Sequence, residues 1–167
     1  PFFARAPNSW GLPSEQVCQR PVGLQDAMPT ILEAAGIEVP ATCTGKSLLP
    51  VLRGEADGVR DILHGEHAGC YAYEHGNHFL VDGRSKYVWY SQTGLEHLFN
   101  LENDPQEECD LALADGAEAE LQPWRKQLVE ILEDRPEGCV ESGTLIAGRS
   151  HRPIMPGYDP EQTFPFS

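Results

Sequence analysis

The chain has 167 residues, 40% of them apolar and 23% charged, which is the balance of an ordinary globular protein long enough to bury a core. Asp and Glu outnumber Lys and Arg by 26 to 12, and the resulting charge of −14 excludes nucleic acid and anionic membrane surfaces as natural partners. No apolar run reaches the roughly 18 residues of a membrane-spanning helix. The five cysteines, spread without a CxxC pair, indicate neither a zinc ribbon nor a fully paired disulfide framework.

The first element, Pro1 to Pro7 (PFFARAP), reads as an apolar strand already in progress, without an initiator Met or a signal-peptide pattern, so the chain is expected to begin inside a domain. After a loop rich in Pro, Gly and Ser, the run PVGLQDAMPTILEAAGI spaces Leu24, Met28, Ile31, Leu32 and Ala35 near the helical period. This predicts one amphipathic helix ended by Gly36, with Pro29 in its first turn because it lacks an amide hydrogen. GKSLLPVLRG predicts a short apolar helical turn closed by Gly54, and the acidic link from Glu55 to Gly58 marks a boundary.

Beyond that link the apolar period changes to two. Asp61 to Glu66, Tyr71 to Glu74, His78 to Val81, Lys86 to Tyr90 and Leu95 to Leu101 are short runs separated by turn residues, which predicts a small antiparallel sheet. The sequence DGRS at Asp82 to Ser85 makes HFLV with KYVWY the most secure hairpin. In the last strand Leu95, His97, Phe99 and Leu101 share the more apolar face. Asp104, Pro105 and Glu107 then have the pattern of a capping box: an N-cap, a first helical position and a side chain reaching back. Leu121, Trp124, Leu128, Ile131 and Leu132 mark one face of a helix, stopped by Arg135-Pro136, that is expected to cover the sheet. From Pro136 onward Gly and Pro recur without period, which predicts an extended tail. The fold class is α+β: an antiparallel sheet of about four strands packed on a C-terminal helix, with segments at 1–58, 59–134 and 135–167.

Three blocks carry a resemblance to a known family. PFFARAP, then QDAMPTILEAAGIEVP with TGKSLLPVL, then RSKYVWY with LEHLFNLENDPQEECDLA resemble, in order and spacing, the C-terminal portion of arylsulfatase-type sulfatases of the alkaline-phosphatase-like superfamily. The likeness runs from residue 1 to about residue 112. Asn100 stands where the family pattern has Asp, and Asp110 where it has Asn; both swaps conserve shape. The resemblance implies that residues 1–58 are the last strand and helix of an α/β catalytic domain and residues 59–134 its C-terminal subdomain. The implied partners are the remainder of that domain and, in the intact enzyme, a sulfate ester.

The resemblance also implies a formylglycine nucleophile, made from the first residue of a Cys/Ser-x-Pro-x-Arg motif, and a calcium ion, both supplied upstream of these residues. No cysteine or serine here has Pro two positions on and Arg four positions on. The chain is therefore expected to supply no catalytic residue and no metal ligand, and to be inactive alone, since sulfate ester hydrolysis needs a nucleophile and concentrated positive charge. A phosphonate or phosphate monoester hydrolase of the same superfamily is the nearest rival reading. A free-standing binding or assembly module without chemistry is the other.

The one polar constellation is HGEHAGCYAYEHGNH, containing His64, Glu66, His67, Glu74, His75 and His78. Ordinary polar strand ends are its plainest reading. A substrate-pocket rim comes next, because the resemblance implies a C-terminal subdomain lining the cleft; it would take His64, His67, His75 and His78 as substrate-binding residues. A metal site comes last, because the spacing is not HExxH and regular alternation puts His64 and His67 on opposite faces. Thr44-Gly45-Lys46-Ser47 is no phosphate loop, since Pro40 stands where the first Gly belongs, and the acidic run Glu102 to Asp110 lacks the order of a calcium loop.

Overall fold

The computed structural model describes residues 3–13, 15–68 and 73–149. Its elements in chain order are α1 (Ala27–Ala34), α2 (Leu49–Leu52), β1 (Leu63–His67), β2 (Asn77–Val81), β3 (Ser85–Tyr90), β4 (Glu96–Asn100), α3 (Ala117–Leu132), β5 (Val140–Glu141) and β6 (Thr144–Leu145). The chain divides into two compact units, one running to residue 63 and including 81–84, the other comprising 64–80 and the residues from 85 on.

In the first unit a single 3-10 turn, Leu24–Asp26, leads into α1, and Pro29 sits buried in the first helical turn as its missing amide requires. Gly36 and Gly54, at φ 70° and 74°, close the two helices as expected. The organising residue is Asp26, which is 0% exposed. Its carboxylate accepts the amides of Gly23 (2.8 Å) and Lys46 (2.9 Å) and both terminal guanidinium nitrogens of Arg60. Burial alone would push this carboxyl up, but the hydrogen bonds from Arg60 and the two amides outweigh it and hold it at about 2. The Thr30 hydroxyl donates to the Asp26 carbonyl (2.6 Å) and accepts the Leu48 amide (2.9 Å), tying α1 to the start of α2. The apolar face of α1 is largely open: Met28 is 50% and Ile31 67% exposed, and Leu24 in the turn before it is 86% exposed. Residues 3–7, expected as a strand, pair with no strand among the described residues, and Pro1 and Phe2 lie outside them.

In the second unit the sheet is antiparallel with order β1-β2-β3-β4, and the hairpin at DGRS forms as read from the sequence. Gly83 at its tip has φ 95°, a conformation that L side chains rarely adopt. Tyr87 lies opposite Leu98 and Trp89 opposite Glu96, so these four share one face. That face is covered by α3, whose Trp124 ring stacks on Tyr87 at 6.3 Å and whose Leu121, Leu128 and Leu132 complete the core with Leu80. A polar clamp runs through it: Tyr87 Oη donates to Glu96 (2.5 Å), and Arg125 holds the same carboxylate from two nitrogens (2.7 and 2.6 Å). Burial, and then the bond to Glu96, push the Tyr87 phenol far up.

Three local expectations are corrected. The buried side chain of β4 is Leu98 at 3% exposure, while Leu95 on the opposite, more apolar face is 51% exposed, because α3 packs on the Tyr87 side. Asp104 caps no helix. Pro105 and Gln106 form a turn in which the Asp104 carboxylate takes the amides of Glu108 (3.1 Å) and Cys109 (2.8 Å). Glu107, at φ 58°, turns away to the Lys86 ammonium (2.7 and 2.9 Å), a charged donor that outcompetes a neutral amide. In the run Tyr71 to Glu74, expected as a strand, Tyr73–His75 is a 3-10 turn, because the chain must reverse there to bring β2 beside β1; residues 71 and 72 lie outside the described residues. Within the segment read as a tail, β5 and β6 pair as a hairpin, with Val140 opposite Leu145, and residues 150–167 lie outside the described residues.

Candidate functional site

Alternation along β1 sends His64 and Glu66 to one face, and the neighbouring β2 sends His78 to the same face. The three side chains meet there: His64 Nε2 is 3.1 Å from His78 Nδ1, and Glu66 Oε2 is 3.6 Å from that same Nδ1. The two imidazoles stack at 5.3 Å, and Trp89 of β3 lies against His78 at 6.0 Å. His78 is 6% exposed. Its imidazole is pushed down to about 4 by burial and then by the neighbouring His64, with Glu66 opposing. His64 is pushed down for the same first reason, burial, with Glu66 opposing. At neutral pH the pair is therefore uncharged and offers lone pairs and N–H groups.

The other wall comes from beyond α3. Arg135 donates to Glu66 Oε2 (2.6 Å) and is itself held by Glu137 through two bonds (2.7 and 3.2 Å). Burial would raise the Glu66 carboxyl, but the Arg135 bond and charge bring it below the usual range. The cluster thus combines two neutral imidazoles with two carboxylates and one guanidinium, a net charge of −1.

Of the four histidines singled out from the sequence, the structure brings His64 and His78 together. His67, at the end of β1, and His75, in the 3-10 turn, are exposed and join neither. Arg135, Glu137 and Trp89 could not be read as part of this cluster from the sequence: Arg135 is 69 residues from Glu66, and no period links them. The calcium ion that the resemblance implies does not fit this donor set, since calcium takes six to eight oxygen ligands and two of the three groups here are nitrogens. Thr44 to Ser47 serves packing: a Cβ on Gly45 would lie 1.9 Å from the Gln25 carbonyl, and Lys46 lends its amide to Asp26.

A second feature belongs to the first unit, an open groove of about 690 Å³ lined by Phe3, Trp10, Leu12, Ile31, Leu49 and Leu52 among others. Its apolar lining and the bare face of α1 have the character of a surface that another protein part covers.

Comparison with known proteins shows the family to which the chain is similar. The family described as "N-sulphoglucosamine sulphohydrolase, C-terminal" matches residues 1–135. An arylsulfatase of Clostridium perfringens is 36% identical over 125 residues, which cover 75% of this chain and 25% of that protein. Among solved structures, a 2-O GAG sulfatase superposes with a TM-score of 0.56 at 31% identity, covering 65% of this chain and 24% of the other. A phosphonate monoester hydrolase of Agrobacterium radiobacter has the same fold, with a TM-score of 0.51 at 24% identity over 65% of this chain and 24% of its own length. The chain spans about a quarter of the length of these relatives.

Proposed function

Because the chain belongs to the C-terminal family of N-sulphoglucosamine sulphohydrolases, we propose that it works as the C-terminal portion of a sulfuric ester hydrolase whose nucleophile and calcium lie in a preceding catalytic part. The observation that carries this reading is the family match over residues 1–135 together with the bare apolar face of α1 in the first unit, which suits packing against the rest of a catalytic domain. Charge supports the division of labour. A body of −14 repels a sulfate ester, so the positive charge that stabilises the sulfuryl oxygens belongs to the preceding part.

Within that enzyme, the end of the sheet bearing His64, His67, His75 and His78 forms a rim toward the substrate. Its exposed members, His67 and His75, are the ones able to reach a ligand directly. His64 and His78, uncharged and packed against Trp89, hold that end of the sheet in place. The fold shared with a phosphonate monoester hydrolase favours one rival, in which the same architecture serves phosphonate esters.

The test is steady-state hydrolysis of an aryl sulfate and an aryl phosphonate monoester by the protein that includes the sequence upstream of Pro1. A higher kcat/KM for the sulfate supports the reading, and a higher value for the phosphonate overturns it. His67→Ala or His75→Ala raises KM toward the sulfate ester in the same assay; unchanged kinetics for both remove the rim.

A further inference from the structure

A hydrogen bond joins His64 to His78, and Arg135 holds Glu66 beside them. His64 and His78 are within hydrogen-bond distance, but Glu66 is 3.6 Å from His78 Nδ1, too far for such a bond. It nevertheless converges on the same point: one nitrogen from each imidazole and one carboxylate oxygen all lie within 4.8 Å of one another. We propose that His64, Glu66 and His78 form a binding site for a borderline-soft divalent transition metal of the zinc type, separate from the calcium chemistry of the family.

Two of the three separations have the size such an ion demands. Two nitrogens held at about 2.05 Å from one zinc ion at a tetrahedral angle are about 3.3 Å apart, and the imidazole nitrogens are 3.1 Å apart. A nitrogen and an oxygen at similar bond lengths and an angle of about 120° are about 3.6 Å apart, which is the Glu66 to His78 separation. The donor set, two imidazoles and one carboxylate, selects zinc-like ions over calcium or magnesium.

Arg135 donates to Glu66 and is anchored by Glu137, which places it as the outer hydrogen-bond donor that orients a ligating carboxylate, with its own charge balanced. Glu66 is half exposed, so a fourth position opens to water or to a ligand. The site joins β1 to β2 and through Arg135 to the segment after α3. The site is built from these side chains alone and stands whether or not the sulfatase reading does.

The experiment titrates the full chain, with cysteines alkylated and metals first removed by a chelator, using zinc chloride followed by calorimetry and cobalt(II) chloride followed by visible absorption. The expected result is one equivalent of either ion per chain, a four-coordinate cobalt spectrum without a thiolate charge-transfer band, and a rise in melting temperature with excess zinc. His64→Gln and Glu66→Gln, both at positions open enough to tolerate the change, each weaken zinc binding at least tenfold, while His67→Gln leaves it unchanged. Failure to bind a stoichiometric equivalent, or binding that His64→Gln and Glu66→Gln leave intact, overturns the site.

Discussion

Replacing Asp26 by Ala is the sharpest test of how the first unit is held together. The carboxylate is 0% exposed and carries the amides of Gly23 and Lys46 and the guanidinium of Arg60, whose side chain is itself only 11% exposed. The substitution strands a buried cation, and breaking a buried pair from one side costs about 3–5 kcal/mol. Two amide donors also lose their acceptor, so the cost belongs at the upper end of that range. For a chain of this size each kcal/mol lowers the melting temperature by about 2–4 °C, which makes a loss on the order of 10 °C. Thermal unfolding followed by circular dichroism reads it. Removing Arg60 as well relieves the stranded charge, so the double variant Asp26→Ala/Arg60→Ala is less destabilised than the two single losses summed.

A pH arm checks the same group. The Asp26 carboxyl titrates at about 2 in the folded chain against 3.8 ordinarily, so its contribution is fully present above pH 3.8 and is lost as pH falls toward 2. Asp26→Asn loses stability at neutral pH and shows a flatter acid dependence across that window. A cost for Asp26→Ala below about 1 kcal/mol, or an unchanged acid limb in Asp26→Asn, refutes the assignment of Asp26 as the hub.

Tyr87 is held un-ionised by burial and by Glu96, so spectrophotometric titration to pH 11 records the same tyrosinate signal in Tyr87→Phe as in the parent; a smaller signal in the variant shows that Tyr87 ionises in that range. Asp110 accepts the amides of Leu98 and Ala112 through Oδ1 (both 3.0 Å) and pairs with His97 through Oδ2 (2.6 Å). Asp110→Asn, the residue of the family pattern, keeps the amide bonds and alters only the partly exposed contact with His97, so urea unfolding shifts by less than about 1 kcal/mol; a larger loss shows the His97 contact to be structural. The chain alone binds a hydrophobic dye through the open face of α1, and cooperative unfolding without dye binding counts against that face being an interface.

Much of the architecture was legible because it rests on local period and turn chemistry. The spacing of Leu121, Leu128 and Leu132 located α3, DGRS located its hairpin, and Pro29 found the first turn of α1. What failed was settled by distant partners. Nothing near Glu107 announces that Lys86, 21 residues earlier, draws it out of a capping box. The more apolar face of β4 is the less buried one because α3, a later element, decides which side is covered. The site was half legible: the histidine-rich run was visible, but only the pairing of β1 with β2 selects His64 and His78 from it, and Arg135 enters from a segment with no pattern at all. Asp26 carries no local mark of its role as a hub, because its partners Lys46 and Arg60 lie 20 and 34 residues further on.

The most direct measurement is sulfate release from an aryl sulfate, by residues 1–167 alone and by the protein that includes the sequence upstream of Pro1. The account predicts no release above buffer from residues 1–167 and turnover by the longer protein. Sulfate release by residues 1–167 alone, or none by the longer protein, contradicts it.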